Sequence, residues 1–253
     1  MVKPAVTYFL SDLHLGATYM SDEREHERRV IDMLKMMSHD ARTVYLLGDV
    51  LDYWFEYRTV VPRGHVRFFG QLASMVDSGI EVYWFAGNHD IWLFDYLSQE
   101  LGVKVVDGTV IKDIDGVKFF LGHGDGIGDT SRGFRIIRSI FRNKICQKLF
   151  SAIHPRWTVP FAYRWSRHSR KVRGGGVATY GGDDNEPQMR FVKEYSLKHP
   201  DIRYYIMGHR HVFVNRPVGN GANLIILGDC FNQYTYARWD GQNLSLEHFD
   251  TTE

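Results

Sequence analysis

The sequence predicts an α/β protein with a mixed β-sheet, and two patterns in the 253-residue chain favour this fold class. Short apolar runs rich in β-branched and aromatic residues recur along the chain, and segments with helical periodicity separate several of them. This alternation is typical of parallel strands joined by helices. The runs are residues 7–10, 43–47, 81–85, 103–106, 117–121, 204–207 and 224–227.

Local patterns predict the helices between these runs. After the first run, Ser21 is suited to cap a helix in which Val30, Leu34 and Met37 recur at i, i+4 and i+7. A second amphipathic helix is predicted over residues 66–76, after the second run. Each predicted helix joins two runs and can cover one face of the sheet.

The segment from residue 103 to residue 121 breaks this alternation. Asp107-Gly108 and Asp115-Gly116 are turn signals with no helical pattern between them, so we expect a β-hairpin or meander. Antiparallel strands of this kind make the sheet mixed rather than purely parallel.

Residues 126–184 form a different kind of segment, in which basic and aromatic residues interleave. Residues 132–173 hold twelve Lys and Arg and no Asp or Glu, which leaves 19 basic against 30 acidic residues elsewhere. We predict that residues 126–184 are an inserted basic cap, largely helical, on a core of residues 1–125 and 185–253. Its charge favours an anionic partner: a phosphate-bearing substrate, a nucleic acid or an acidic membrane surface.

Composition narrows the class of protein further. The chain is 44% apolar and 24% charged, which is typical of a globular protein with a buried core. No run approaches the roughly 18 consecutive apolar residues of a membrane-spanning helix, and no signal-peptide pattern precedes the first run, so we expect a cytoplasmic protein. The two cysteines, Cys146 and Cys230, are too few for a disulfide framework.

Five short polar motifs stand directly after five of the predicted strands. Because ligands of α/β sheets gather beyond the carboxyl ends of the strands, we expect these motifs to converge in space. Their glycines allow sharp turns and a close approach of the backbone to a bound group. The motifs are Asp12-Leu13-His14, Gly48-Asp49, Gly87-Asn88-His89-Asp90, Gly122-His123-Gly124-Asp125 and Gly208-His209-Arg210-His211.

The motifs offer oxygen and nitrogen ligands for divalent cations. Asp12 with His14, and His209 with His211, are each two residues apart, so on an extended chain both side chains of a pair point the same way and could bind one cation. A set without cysteine suits manganese, iron or zinc. Asp49 is the candidate for a carboxylate that bridges two cations. The predicted metal ligands are Asp12, His14, Asp49, Asn88, His123, His209 and His211.

Each of these motifs has an alternative interpretation. Gly-Asp, Gly-His and single Asp-x-His or His-x-His pairs are more often turns than ligands when they stand alone. Five such clusters at the same structural position, each with a ligand type that one site needs, favour the metal site over coincidental turns.

In this order, the motifs resemble those of the calcineurin-like metallophosphoesterases. The resemblance runs from residue 10 to residue 229 and implies a four-layer αββα sandwich with a two-metal centre. It assigns the predicted ligands to two groups that share Asp49. The first group is Asp12, His14, Asp49 and His211, and the second is Asp49, Asn88, His123 and His209.

Two divalent cations would neutralise charge on a phosphoryl group and activate water near neutral pH. We expect His89, next to the predicted ligand Asn88, to donate a proton or hydrogen bond to the leaving oxygen. Asp90 is predicted to orient His89, and Asp125 to orient a metal ligand. The alternative for His89 and Asp90 is a structural turn without a chemical role.

Within that family, the segments 11–15 and 48–54 and the basic cap resemble the UDP-2,3-diacylglucosamine hydrolases of lipid A biosynthesis. This resemblance implies cleavage at the phosphorus next to uridine to give UMP and lipid X, usually with manganese. It also implies substrate contacts from Asn88 and His89 and, in the cap, from Arg170, Lys171 and Arg173. One departure is His89, where proteobacterial hydrolases typically carry arginine.

An amphipathic pattern in the cap independently favours a lipid. Phe134, Ile137, Phe141, Ile145 and Leu149 recur at i, i+3, i+7, i+11 and i+15, with basic residues on the other faces. Such a helix can hold acyl chains or rest on the anionic cytoplasmic face of the inner membrane. The alternative is a helix whose apolar stripe packs on the protein's own core.

Three other functions remain open at this point. The same fold could hydrolyse another nucleotide sugar or a lipid pyrophosphate. It could also hydrolyse a phosphodiester, including nucleic acid, whose bases could stack on the aromatic residues of the basic cap. An inactive binding scaffold is the third alternative, although all seven ligand types are present.

Overall fold

The computed structural model describes residues 5–128, 132–172 and 179–250, and the side chains of residues 132, 134, 135 and 167–172 lie outside that description. Across these residues, eleven strands form two sheets and seven helices flank them. The strands are β1 (Val6–Leu10), β2 (Ala41–Leu46), β3 (Glu81–Phe85), β4 (Lys104–Val106), β5 (Val110–Ile114), β6 (Val117–Leu121), β7 (Ile202–Met207), β8 (Phe213–Gly219), β9 (Ala222–Leu227), β10 (Thr235–Trp239) and β11 (Leu244–His248). The helices are α1 (Glu23–Met37), α2 (Val66–Asp77), α3 (Tyr96–Leu101), α4 (Arg132–Arg142), α5 (Lys144–Ser151), α6 (Pro155–Val172) and α7 (Pro187–Lys198).

Both sheets are mixed, as the sequence predicts. The first has the order β11-β10-β1-β2-β3-β4, in which β1 to β4 are parallel and β10 and β11 are antiparallel. The second has the order β5-β6-β7-β9-β8, with β6, β7 and β9 parallel and antiparallel strands at both edges. The parallel strands end at the same edge of each sheet, which brings the loops that follow them together.

Three apolar clusters separate four layers. Val30, Leu34 and Trp84 belong to the cluster that packs α1, α2 and α3 on the first sheet. Phe9 and Phe119 lie between the two sheets. The third cluster packs α7 on the outer face of the second sheet. The αββα sandwich is therefore confirmed.

One local prediction is wrong in detail and another is confirmed in part. The helix α1 begins one residue later than expected, because the carboxylate of Asp22, not Ser21, accepts the hydrogen bond of the Glu25 amide at 2.9 Å. Of the hairpin or meander predicted over residues 103–121, the hairpin is present as β5–β6, whereas β4 pairs with β3 in the other sheet.

The predicted long helix of the basic segment is two helices. Asn143 separates α4 from α5, and its side chain accepts hydrogen bonds from the amides of Ile145 and Cys146 at 2.9 and 3.1 Å. The apolar stripe is therefore interrupted at the N-cap residue of α5, which helical spacing alone does not reveal.

The helices α4 to α6 pack over the loops at the carboxyl ends of the strands. Phe141 of α4 and Phe150 of α5 contact a small cluster of buried side chains that includes Tyr53 and Trp92. The indole of Trp92 also donates a hydrogen bond to the Phe141 carbonyl at 2.9 Å. Across the described residues, no helix combines the length and apolar character needed to cross a membrane.

Candidate metal centre

The five polar motifs meet at one edge of the sandwich, where backbone hydrogen bonds join one motif to the next. The Asp12 amide donates to the Gly48 carbonyl at 3.0 Å, and the His14 amide donates to the Asp49 carbonyl at 2.9 Å. The Gly208 amide donates to the His123 carbonyl at 2.9 Å. The His209 amide donates to Asp12 Oδ2 at 2.8 Å, which joins a loop of the second sheet to a loop of the first.

Five of the seven predicted ligands have left-handed backbone conformations, which non-glycine residues adopt rarely. Their φ angles lie between 47° and 69°, and the residues are Asp12, His14, Asp49, His209 and His211. The expectation that these pairs lie on extended chain is therefore wrong. Such strain persists only where surrounding contacts hold it, and it is concentrated here at the candidate site.

Two glycines permit the close approach of these loops. A Cβ atom on Gly87 would lie 2.2 Å from Asp49 Oδ1, and one on Gly208 would lie 2.4 Å from Asp12 Oδ2. No side chain fits at either position without displacing a predicted ligand. Gly87 and Gly208 are thus packing requirements of the site.

The first group of ligand atoms comprises Asp12, His14 and His211, whose ligand atoms lie within 4.8 Å of one another. Asp12 Oδ1 is 3.8 Å from His14 Nε2 and 3.1 Å from His211 Nε2. All three were predicted to belong to one group, together with Asp49. Asp49 Oδ2 lies 3.8 Å from His14 Nε2.

The second group comprises Asp49, His123 and His209, again within 4.8 Å. Asp49 Oδ2 is 3.3 Å from His123 Nε2, and Asn88 Oδ1 is 3.2 Å from the same nitrogen. His209 and His211 therefore belong to different groups, so this pair does not serve one cation. Asp49 borders both groups, as a bridging carboxylate must.

The ionisation of Asp12, Asp49 and His209 fits cation binding. Burial alone raises the pKa of Asp12 and Asp49, but the neighbouring histidines outweigh burial and hold both pKa values well below the usual range. Burial and the charge of His123 lower the pKa of His209 to about 4. Both carboxylates are therefore ionised and His209 is neutral near pH 7, which are the forms that bind metal ions. For His123, burial lowers the pKa but the charge of Asp49 outweighs burial and holds the pKa well above the usual range, so His123 gives up a proton when a cation binds.

One buried atom indicates where a cation fits. Asp12 Oδ1 is buried and accepts no hydrogen bond from the described residues. A buried carboxylate oxygen without a hydrogen bond is costly unless a cation compensates it. With the oxygen and nitrogen donors around it, the residues present fit a pair of divalent cations.

His89 lies beside the first group, with its ring centre 4.8 Å from that of His14. His89 Nδ1 is 3.0 Å from the Asp52 carbonyl oxygen and 3.5 Å from Asp52 Oδ1. A nitrogen next to a carbonyl oxygen carries the proton, so Asp52 fixes both the tautomer and the orientation of the His89 ring.

Asp90 does not orient His89, contrary to the prediction. Its buried carboxylate accepts hydrogen bonds from Trp84 Nε1 at 3.0 Å and from the amides of Gly87, Asp49 and Val50 at 2.8, 3.2 and 2.9 Å. Burial and the nearby charge of Asp49 raise the pKa of Asp90 to about 6. Asp90 therefore ties together the loops after β2 and β3, because those loops point their amides at it.

Asp52 was missed by the sequence reasoning and is a central residue of the site. Its carboxylate is 3.3 Å from His14 Nδ1 and accepts a hydrogen bond from the Ser166 hydroxyl at 2.9 Å. It thus connects a predicted ligand, His89 and helix α6. The available signal was a second carboxylate in the loop that carries Asp49.

Of the remaining predicted site residues, Asp125 lies beside the centre but has a different partner, and the side chains of the others lie outside the described residues. Asp125 Oδ2 accepts a hydrogen bond from Arg138 Nε at 2.9 Å, so its hydrogen bond goes to α4 rather than to a metal ligand. Arg170 and Lys171 fall in α6, but their side chains lie outside the described residues, as does Arg173 entirely.

A cavity of about 390 Å³ opens from the candidate metal centre into the space under α4, α5 and α6. Its polar end is lined by Asp52, Asn88, His89 and Asp125. Beyond these residues its wall is largely apolar and aromatic. That wall includes Ile91, Trp92, Ile137, Ile140, Phe141, Phe150, Phe161 and Trp165.

Comparisons with known proteins identify a matching family model and several similar chains. The family model for calcineurin-like phosphoesterases matches residues 6–213. A UDP-2,3-diacylglucosamine hydrolase from Porphyromonas gingivalis is 42% identical, over 97% of this chain and 98% of its own length. A relative of the same name from Neisseria meningitidis serogroup C is 27% identical over 95% of both chains. A dimetal phosphatase from Danio rerio aligns with a TM-score of 0.48 at 13% identity, over 97% of this chain and 96% of its own.

Proposed function

The chain belongs to the calcineurin-like phosphoesterase family, and we propose that it hydrolyses the pyrophosphate of UDP-2,3-diacylglucosamine in lipid A biosynthesis. The products are UMP and the 1-phosphate of 2,3-diacylglucosamine, called lipid X. The observation that carries this proposal is the apolar cavity that opens directly beside Asn88 and His89. A phosphoesterase that acts on a small polar ester has no use for such a wall, whereas two acyl chains need one.

The seven predicted ligands would hold two divalent cations, with manganese as our first choice and iron or zinc as alternatives. When bound, two such cations neutralise charge on the phosphoryl group and lower the pKa of water towards about 7. Asp49 would lie between them, because its carboxylate borders both groups of ligand atoms. Asn88 would serve both as a ligand and as a contact to the phosphoryl oxygens.

His89 is our candidate for the group that assists departure of the leaving oxygen. The Asp52 carbonyl holds Nδ1, so Nε2 is the nitrogen that serves the substrate. In the balanced reaction, the oxygen of water joins the phosphorus next to uridine and the bond from that phosphorus to the bridging oxygen breaks. The bridging oxygen leaves on the lipid phosphate, where His89 donates a hydrogen bond or proton to it.

We propose that residues 126–184 act as a cap that binds the acylated end of the substrate. Ile137 and Phe141 of the predicted apolar stripe line the cavity, which supports a hydrocarbon-binding role. Arg170, Lys171 and Arg173 remain our candidates for additional phosphate contacts. Ser166 of α6 touches the site through Asp52, so the cap and the metal centre are directly linked.

We further propose that the cap rests on the anionic cytoplasmic face of the inner membrane, where a lipid substrate resides. Large apolar side chains of α5 and α6 are exposed, with Leu149 at 65%, Trp157 at 69% and Phe161 at 58%. The surrounding segment carries twelve basic residues and no acidic one. Apolar and basic side chains on one surface are typical of proteins that bind membranes peripherally.

The direct test compares substrates with manganese-loaded protein in detergent micelles. We expect UMP release from UDP-2,3-diacylglucosamine with a kcat/KM at least about 100-fold above that for UDP-N-acetylglucosamine, because buried methylene groups contribute binding. Single-stranded RNA and DNA should remain intact in the same preparation. Cleavage of nucleic acid, or equal rates on the two UDP-sugars, would contradict the proposal.

A further inference from the structure

We propose that Arg138 of α4 binds the phosphate that leaves with the acylated sugar and thereby selects lipid-linked pyrophosphates. This inference rests on the proposed function and assigns a specificity role within the same site. Arg138 lies in the cavity wall, at the junction between the polar end and the apolar part.

Arg138 lies among the apolar residues of α4 that line the cavity. Ile137 precedes it, and Ile140 and Phe141 follow within one helical turn, and all four side chains line the wall. Among the described side chains that line this cavity, Arg138 is the only Lys or Arg. An anionic group inside the cavity therefore has a single cationic side chain available from the described residues.

The Arg138 side chain is anchored rather than loose. Its Nε donates to Asp125 Oδ2 at 2.9 Å, and the Asp125 carboxylate is 6% exposed while the Arg138 side chain is 36% exposed. Asp125 follows His123 by two residues, so this ion pair ties the guanidinium to the metal centre. The two terminal NH₂ groups make no hydrogen bond to any described residue, and a guanidinium held at Nε presents them to a phosphate.

The geometry of the substrate selects which phosphate Arg138 meets. The phosphorus under attack must lie at the predicted ligands, and the acyl chains must lie along the apolar wall. The second phosphate joins these two parts, so it occupies the junction where Arg138 sits. That phosphate gains negative charge when the bridging bond breaks, and a fixed guanidinium stabilises charge that develops there.

The test uses Arg138→Met, which removes the charge, and Arg138→Lys, which keeps it without the planar fork. Arg156→Met is the matched control, because Arg156 is an exposed residue of α6 outside the cavity wall. Each protein is assayed in detergent micelles on UDP-2,3-diacylglucosamine and on the p-nitrophenyl ester of UMP, which lacks the second phosphate. Inhibition constants for lipid X and UMP, and bound metal, are measured in parallel.

We expect Arg138→Met to lower kcat/KM for the lipid substrate by about 30-fold and to weaken inhibition by lipid X by a similar factor. The p-nitrophenyl ester should lose less than about threefold, and Arg138→Lys should fall between Met and wild type. Metal content and inhibition by UMP should match the wild type. The Arg156→Met protein should match the wild type in every assay.

Three results separate failure of this inference from failure of the proposed function. If wild-type protein releases UMP from the lipid substrate and Arg138→Met does so equally well, Arg138 does not bind the leaving phosphate. Equal losses on both substrates would also overturn the inference, since Arg138 would then act on the metal centre through Asp125. If wild-type protein cleaves the p-nitrophenyl ester but not the lipid substrate, the proposed function and this inference fail together.

Discussion

The predicted ligand loops and the helices α4 to α6 differ in how completely the protein buries them. Asp12 and His14 are fully buried and Asp49 is 2% exposed, while Leu149 and Trp157 on the helices are 65% and 69% exposed. The loops are also strained and joined by backbone hydrogen bonds across two sheets. This difference supports the proposal that the sandwich holds the metal ligands in place and that the helices above it select the substrate.

The largest expected effect comes from the residue shared by both ligand groups. Asp49→Ala should lower kcat by about 1,000-fold or more, because neither cation keeps its full set of ligands. Metal analysis of the purified protein should find fewer than two bound ions. Asp77→Ala, at the exposed end of α2, is the matched control and should retain both activity and metal. Normal turnover by Asp49→Ala would break the assignment of the loops to catalysis.

Replacement of His89 distinguishes a loss of catalysis from a loss of bound metal within the loops. His89→Ala should lower kcat by about 100-fold, the usual contribution of general acid catalysis, with bound metal close to two ions. Asp52→Asn should lower kcat less, because the carbonyl that holds His89 Nδ1 remains. Should His89→Ala lose its metal in the same analysis, His89 would be a ligand rather than the group that serves the leaving oxygen.

Substitutions on the exposed faces of α5 and α6 should weaken membrane binding without lowering the rate of hydrolysis. The double variant Leu149→Glu, Trp157→Glu should bind phosphatidylglycerol vesicles about tenfold more weakly in sedimentation assays, since it replaces apolar contacts with repelled charges. Its kcat on substrate in detergent micelles should equal that of the wild type. Failure of the wild-type protein to bind anionic vesicles would contradict the proposed membrane contact.

The smallest effect concerns His65, which packs against the loop that follows the predicted ligand His14. A Cβ atom on Gly16 would lie 2.9 Å from its ring, and burial lowers the pKa of His65 to about 4. The unfolded chain therefore binds more protons between pH 4 and 6.5, and the stabilising effect of the neutral ring is lost as pH falls through that window.

Replacement of His65 isolates this pH effect. His65→Asn keeps a residue that tolerates the left-handed backbone at this position but does not titrate there. Between pH 7 and 4.5, the melting temperature of the wild type should fall about 3 °C further than that of His65→Asn. If the melting temperatures of the wild type and His65→Asn fall equally as the pH falls, His65 takes up no proton on unfolding.

The sequence predicted which ligand side chains come together better than it predicted their backbone conformations. Each motif follows a strand, and the parallel strands bring the motifs to one edge, so Asp49 and His123 were expected to meet. The left-handed turns at Asp12 and His14 were not expected, because the spacing of two residues fits an extended chain equally well. Only contacts across the site select the strained conformation.

Contacts between distant residues explain what the sequence did not reveal. Asp52 meets Ser166 across 114 positions, and Asp90 binds amides of a loop about 40 residues away. Neither partner follows from local spacing, and adjacency to Asn88 wrongly favoured Asp90 as the partner of His89. Within residues 126–184, Asn143 interrupts the apolar stripe because its side chain is the N-cap of α5. The helical spacing of the apolar residues alone did not indicate that a new helix starts there.

Crystals of the manganese-loaded protein give the most direct measurement, through anomalous scattering at the metal. We expect two peaks about 3.5–4 Å apart. One should contact Asp12, His14 and His211, the other Asn88, His123 and His209, with the Asp49 carboxylate touching both. A single peak, or peaks that Asp49 does not share, would contradict the two-cation centre.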